Sequence, residues 1–529
     1  MGSCRRRLAN FGVCCFIAHW AAASLCPAIA QSPPPPTGTR LVDAIRSTLI
    51  AHPDQIIAQQ QTQQSQSIVL LQESVFDTSF SGSMGFNRDV LPLGASIQSS
   101  YGNRSVADQL DLGLSSSTLL PWGMAIQPGI GLSRSRVGYD PDFVSPTAPT
   151  NLASAGLTIT QPLLRNAGRV GTAGPLMAAR ASADRAGLLQ QVTARTLAFR
   201  TALAYWDWVY AKRRVEVLGA SLQRMTKLVA DVSALVEEGQ SPAADLIQLQ
   251  AQEAQRRSQE IKARNAEFVA QRSLGEAMGL PFSEIQVLAP PVDVLPSVRQ
   301  NLEGELRNPE PFIEHALTHR FEIHAQEKHL DSKDILRRTA KRNRLPSVNL
   351  EMGLAYYGLV EDTHPASFFT SAGKNIQGLS GGTTLSLLLP AQNRAARSDF
   401  LVQESKYRVA EQDLIKLRRS VKISVVQAIN SLQTKIKELQ FRSDTVRFYE
   451  QSVDGEKVKW REGLGTIIDV LLTEDKLTNA VLGQTDAQYQ FALGLAQMTF
   501  ELGRLSFQTE DIADLVPQTL LDGRWLDAK

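Results

Sequence analysis

Cysteine, long apolar runs and, over wide stretches, proline, lysine and glutamate are what this 529-residue chain lacks. All four cysteines, Cys4, Cys14, Cys15 and Cys26, fall in the first 30 residues. The rest of the chain therefore has no disulfide staple, no thiol nucleophile and no cysteine-ligated metal. No later segment approaches the roughly 18 consecutive apolar residues of a membrane-spanning helix, so closed β-structure is the one way this chain could enter a bilayer. Aromatic residues make up 6% of the chain, and 55 basic against 53 acidic residues exclude a strongly basic nucleic-acid binder. No nucleic acid is expected as a partner.

The first 30 residues carry a basic start at Arg5, Arg6 and Arg7, an apolar stretch from Leu8 to Leu25, and Ala28-Ile29-Ala30 before Gln31. That order is expected of a cleaved secretory signal over 1–30. Lipidation at Cys26 is the rival reading, and Leu25 is larger than the residue that lipoprotein signals place before their cysteine. Cleavage after Ala30 leaves 52 basic against 53 acidic residues. Residues 31–40, with Pro33 to Pro36 in a row, read as an extended tether.

The remainder is written twice. His52-Pro53-Asp54-Gln55-Ile56-Ile57-Ala58-Gln59 recurs as His319-Arg320-Phe321-Glu322-Ile323-His324-Ala325-Gln326, and Gly156 to Leu164 has a counterpart in Gly382 to Pro390. Glu238-Gly239, five residues, then Asp245-Leu246 recurs as Glu462-Gly463, five residues, then Asp469-Val470. Each half is expected to run helix, β region, very long helix, tight turn, returning helix. In the first repeat (41–285) these are a β region over about 74–165, a long helix 176–237, a hairpin turn 238–244 and a returning helix 245–278. A linker over 286–311 follows. The second repeat (312–507) has a β region over about 347–389, a helix 391–461, a turn 462–468 and a returning helix 469–507, before a tail over 508–529.

The helices announce themselves by spacing. Leu218, Leu222, Met225, Val229, Val232 and Val236 step by alternating fours and threes, the rhythm of a helix packed along a partner. No proline falls between Leu176 and Ser241 or between Ala391 and Leu515. A helix over 176–237 would extend about 90 Å at ~1.5 Å per residue, longer than a bilayer is thick. Ser74 to Arg165, by contrast, holds no Lys and no Glu. It is dense in Ser, Gly and Thr and has alternating segments such as Leu110-Asp111-Leu112-Gly113-Leu114. The second β region has Tyr356, Tyr357, Phe368 and Phe369 around a Gly- and Ser-rich loop. Such alternation suits a membrane barrel or a soluble sandwich, and the export signal with the long helices favours the barrel.

These features together resemble the TolC family of outer-membrane efflux and secretion channel proteins. The carriers are the paired repeats, Thr160-Gln161-Pro162-Leu163-Leu164-Arg165 before the first long helix, and Gly463-Leu464-Gly465-Thr466-Ile467-Ile468-Asp469-Val470-Leu471 at the second turn. The resemblance implies a mainly α protein with a β membrane domain, built from a duplicated helix-strand-strand-helix-helix repeat. It further implies a homotrimer with four strands per protomer in one 12-stranded β-barrel in outer-membrane lipid, continued by a long α-helical barrel in the periplasm. The implied function is an exit channel for tripartite efflux or type I secretion, served by a periplasmic adaptor (membrane fusion) protein and an inner-membrane pump. A non-conducting coiled-coil envelope protein is the alternative.

The hairpin turns at Gly239, Ser241 and Pro242 and at Gly463, Gly465 and Thr466 are where the resemblance puts adaptor docking. Asp469, Leu472, Trp460 and Asp245 are the candidates for the periplasmic entrance. Asp469 matches an acidic ring of the family, whereas Asp245 fits N-terminal dipole compensation at least as well. Leu472 stands where the family has a second acid, Gly465 where it has an arginine, and Trp460 where it has a tyrosine, so apolar packing is expected to share in closure. Leu119-Leu120-Pro121-Trp122-Gly123 suggests a turn with a further strand from Met124 to Arg136, hence an extra hairpin or a long external loop.

Other patterns carry less. His315, His319, His324 and His329 cluster on the helix that opens the second repeat, where His319 matches His52, and are read as structural. Gly378-Leu379-Ser380-Gly381-Gly382 fits a nucleophile pattern by letter, but no histidine follows His364 to complete a triad. Gly373-Lys374 lacks the rest of a phosphate-binding loop. No enzyme activity and no cofactor are expected.

Overall fold

The computed structural model describes residues 38–139, 148–240, 242–298, 302–374 and 378–504. The expected signal, most of the tether, Ser241 and the tail beyond 504 lie outside them. Two helices, α1 (Leu41–Ala51) and α2 (Pro53–Glu73), lead to strands β1 (Ser79–Pro92), β2 (Arg104–Leu119), β3 (Ala125–Tyr139) and β4 (Thr150–Pro162). The chain then enters α3 (Gly174–Glu237) and returns as α4 (Ala243–Ala277). The second half has α5 (Glu310–His319), α6 (Phe321–Asn343), β5 (Ser347–Glu361), β6 (Leu379–Leu388), α7 (Arg394–Arg461) and α8 (Ile467–Glu501). Among the described residues no helix is long and apolar enough to cross a membrane.

The long helices form because nothing interrupts them and because one stripe is apolar. In α3, Leu218, Met225 and Val232 are buried, and Leu222, Val229 and Val236 are partly covered on the same stripe. The helix runs 64 residues and its counterpart α7 runs 68. At the sheet-proximal end α2, α3, α6 and α7 pack side by side, and farther from the sheet α3 pairs with α4 and α7 with α8. Two cores sit at mid-height, one around Tyr205, Trp206 and Leu274 and one around Leu432, Phe491 and Met498.

Between the repeats, the linker clips back onto α1. Asp293 Oδ2 accepts from the Leu41 backbone N–H at 2.9 Å, capping α1, and from the Tyr205 hydroxyl at 2.7 Å. Burial, reinforced by Asp293, pushes the Tyr205 phenol above its ordinary value. Asp293→Ala is expected to lower stability by ~1–3 kcal/mol through the lost cap and charge-assisted bond, read as a depressed thermal midpoint.

All six strands form one antiparallel sheet in sequence order. The resemblance implied four strands per protomer; among the described residues the sheet instead has six, four of them from the first half. The sheet is open, with β1 and β6 as its edges. The added turn between β2 and β3 lies at the helix-facing rim, where Gly168 N–H donates to Trp122 O at 2.9 Å. Gly123 there has φ +102 and its Cα faces Asn166 O so closely that a Cβ would lie 2.5 Å away. Pro128 sits inside β3, and the β2–β3 ladder skips the pairs at Gln127 and Pro128, because proline has no N–H to give.

The two faces differ in chemistry. Across the strands one row reads Gly82, Leu114, Ile130, Ala155, Tyr356 and Leu379. The next row, on the opposite face, reads Ser81, Ser115, Gly129, Gly156, Ala355 and Ser380. Phe80, Met84, Phe86 and Val90 continue the apolar face on β1 at 53–84% exposure. A trough of about 670 Å³ is lined mainly by the Ser and Gly face. At the end remote from the helices, the β5–β6 connection folds over the apolar face, with Tyr356 Oη donating to Ala372 O at 2.8 Å and Arg134 Nη2 to Thr363 O at 2.9 Å.

Candidate functional site at the helical-hairpin end

The ends of α3 and α7 farthest from the sheet close in the same way. Gly239 (φ +74) and Gly463 (φ +72) take the left-handed conformation that ends a helix. Gly239 N–H donates to Val236 O and Gln240 N–H to Leu235 O; Gly463 N–H donates to Trp460 O and Leu464 N–H to Lys459 O. Pro242 precedes α4 and Thr466 precedes α8 as their N-caps. Gly465 lies against Lys459, whose Cβ would be 3.3 Å from an added side chain. Ser241 falls outside the described residues.

Asp469 and Asp245 both stand in the first turn of a returning helix. Asp469 completes a capping box: its carboxylate accepts from the Thr466 hydroxyl at 2.7 Å and backbone N–H at 3.2 Å, and its own N–H donates to Thr466 Oγ1 at 3.2 Å. These hydrogen bonds hold the Asp469 carboxyl below its usual range, so the cap persists above that range and is lost as pH falls through the lowered value. Thr466→Ala is expected to cost ~1 kcal/mol of helix stability, read as faster amide exchange over the first turn of α8. Leu472 is 53% exposed, whereas Trp460 is half-buried against a small core of Met225, Val232, Leu249, Ile467, Val470 and Leu471.

About one turn beyond Asp469 the structure brings together residues that spacing did not single out. Glu474, nearly buried, accepts from Arg224 Nε at 3.0 Å and Lys457 Nζ at 2.6 Å. Arg256, buried, donates to Asp475 and to Ser221 Oγ, and Ser221 shares a hydrogen bond with Thr478. One cluster thus ties α3, α4, α7 and α8. Burial pushes the Glu474 carboxyl up, but Lys457 and Arg224 outweigh it and hold the group below its ordinary value. A cleft of about 290 Å³ opens beside the cluster, lined in part by Lys227, Asp231, Trp460 and Arg461. Among the described residues no group of three or more His, Cys, Asp and Glu side chains could hold a metal. His315 and His319 stack on each other at 4.0 Å.

A sheet with one apolar and one small polar face, carried on helical hairpins of this length, can be set beside known proteins. A family profile described as "Outer membrane efflux protein" matches residues 312–504. That span is the second repeat, over which the chain is similar to the outer membrane efflux protein family. Outer membrane protein TolC of Vibrio cholerae is 25% identical over 403 residues, spanning 74% of this chain and 85% of that protein. The fold is shared with the Campylobacter jejuni CmeC outer membrane channel, at TM-score 0.62 and 13% identity over 92% of this chain and 90% of that one. It is shared also with the outer membrane protein VceC of Vibrio cholerae, at TM-score 0.60 and 14% identity over 88% and 96%. In this TolC-like frame the hairpin end is the part of the chain farthest from the sheet. The Arg224–Glu474–Lys457 cluster lies near that end.

Proposed function

We propose that the chain is the outer-membrane exit duct of a tripartite efflux or type I secretion system. Three copies close their sheets into one barrel in outer-membrane lipid and their helices into a periplasmic tube. The observation that carries this reading is the apolar face: on β5 it runs Val348, Leu350, Met352, Leu354 and Tyr356, ending at Gly358. Eleven residues at ~3.3 Å each and a tilt near 40° give a band of about 28 Å, the height of a hydrocarbon core. The opposite face, rich in Ser, Gly and Thr, lines water.

The duct conducts passively. A periplasmic adaptor docks at the turns holding Gly239, Pro242, Gly463, Gly465 and Thr466, with Ser241 between them, and links the duct to an inner-membrane pump that supplies energy. Asp469, Leu472, Trp460 and Asp245 narrow the entrance, three copies of each acid favouring cations there. Membrane fractionation and planar-bilayer recording of the purified protein test the reading. Residence in the outer membrane with discrete pores is expected, and a protein absent from that membrane, or one that forms no pores, would sink it.

A further inference from the structure

The added β1–β2 strands carry the alternation of a barrel wall, with Arg88 and Asp108 paired at 3.6 Å in the apolar rows toward the end remote from the helices. The β1–β2 ladder is unbroken from Ser79 paired with Ser117 to Pro92 paired with Arg104. Its face parity continues that of β3 to β6: Phe80, Met84 and Phe86 lie in the apolar rows, Ser81, Ser83 and Asn87 in the polar ones. A hairpin held in water outside the wall would leave Phe80 84% and Met84 76% exposed to no purpose. Its lower end is also anchored, since β1 follows α2, which packs on α3. The free edges have matching polarity, because β1 runs away from the helices and β6 runs back to them. Set side by side, β6 of one copy and β1 of the next are antiparallel and satisfy each other's unpaired backbone groups.

Resting on the trimeric duct reading above, we infer that the wall has eighteen strands, six from each of three copies, and that the duct opens to the exterior through a correspondingly wide portal. At ~4.8 Å between strands and a tilt near 40°, eighteen strands span a circumference of about 113 Å, a diameter of ~36 Å, whereas twelve give ~24 Å. The inner rows of Ser, Gly and Ala add little bulk, so the portal passes hydrated, bulky cargo and leaves selection to the hairpin end.

The chain has no cysteine after residue 30, which allows single-cysteine labelling of trimers in vesicles. Ser81→Cys, Ser83→Cys and Asn87→Cys are expected to react with a membrane-impermeant maleimide at least tenfold faster than Phe80→Cys, Met84→Cys and Phe86→Cys. The latter three should instead be quenched by a lipid-borne probe. Conducting trimers in which both sets react alike would overturn the eighteen-stranded wall and leave the duct standing. A protein that forms no membrane-inserted pore would overturn the duct reading, and this inference with it.

Discussion

Glu322→Ala is expected to cost about 3–5 kcal/mol, the price of leaving buried cations without their partner. Glu322 lies between Arg195, which is fully buried, and Arg320, whose Nη2 donates to it at 3.3 Å. Arg320 in turn donates to Glu501 at 2.7 Å, and Ser424 donates to the same carboxylate at 2.6 Å. The Arg195 guanidinium also stands 4.9 Å from the Phe500 ring centre. The cluster therefore joins α3, α6, α7 and α8 at the waist, and alanine leaves two guanidinium groups facing one carboxylate. Burial raises the Glu322 pKa, but Arg195 and Arg320 prevail and the group sits below its ordinary value. Its stabilisation is therefore complete above the unfolded carboxylate range and disappears as pH falls through the lowered folded value. Thermal unfolding at pH 7 and pH 5 should give the same loss for the variant. The double replacement Arg195→Met with Glu322→Leu should recover much of it, because an apolar pair removes both charges at once. A Glu322→Ala protein that melts with the parent would show that the pair is solvated in the assembly.

The helices were legible because their signal is local and repeated. Leu218, Met225 and Val232 each report the same buried stripe, so a window of a few turns suffices. The β domain was legible as a composition, the absence of Lys and Glu from Ser74 to Arg165, but its strand count was not. The pairing of β4 with β5 joins residues some 200 positions apart, and no turn chemistry announces it. The turn at Leu120 to Gly123 was visible. Whether it closed a hairpin or began a loop depended on the Gly168 to Trp122 hydrogen bond, a contact across 46 residues. Asp469 was singled out for the entrance, and the structure adds a local role that Thr466 three residues earlier already spelled, the capping box. Arg224, Arg256, Lys457 and Glu474 left no trace in the sequence reading. Ion pairs such as Arg224–Glu474, 250 residues apart, have no spacing to detect.

Glu474→Ala is the second large effect, expected as loosening of the hairpin end rather than global unfolding. Glu474 Oε1 and Oε2 are taken by Lys457 and Arg224, while Arg256 occupies Asp475 next door. Removing the carboxylate leaves Arg224 and Lys457 facing each other beside Lys227 and Arg461 in the same cleft, a local penalty of ~3 kcal/mol. The apolar cluster of Met225, Leu249 and Val470 below keeps the helices folded, so the strain is relieved by α7 and α8 moving away from α3 and α4. In the duct reading that motion widens the entrance. Single-channel conductance should rise severalfold and amide exchange should quicken around Val470 and Lys457, with the thermal midpoint little changed. Glu474→Gln, which keeps the shape and one acceptor, should fall between the two. Lys457→Met added to Glu474→Ala should restore part of the closed conductance, because the pair then loses both signs of charge. Acid mimics the mutation only once Glu474 itself protonates. Its pKa is depressed, so this opening should be absent between pH 7 and 5 and set in below the ordinary glutamate value of about 4.3. If conductance and tip exchange of Glu474→Ala match the parent, the cluster is a strut and the closure of the duct resides elsewhere.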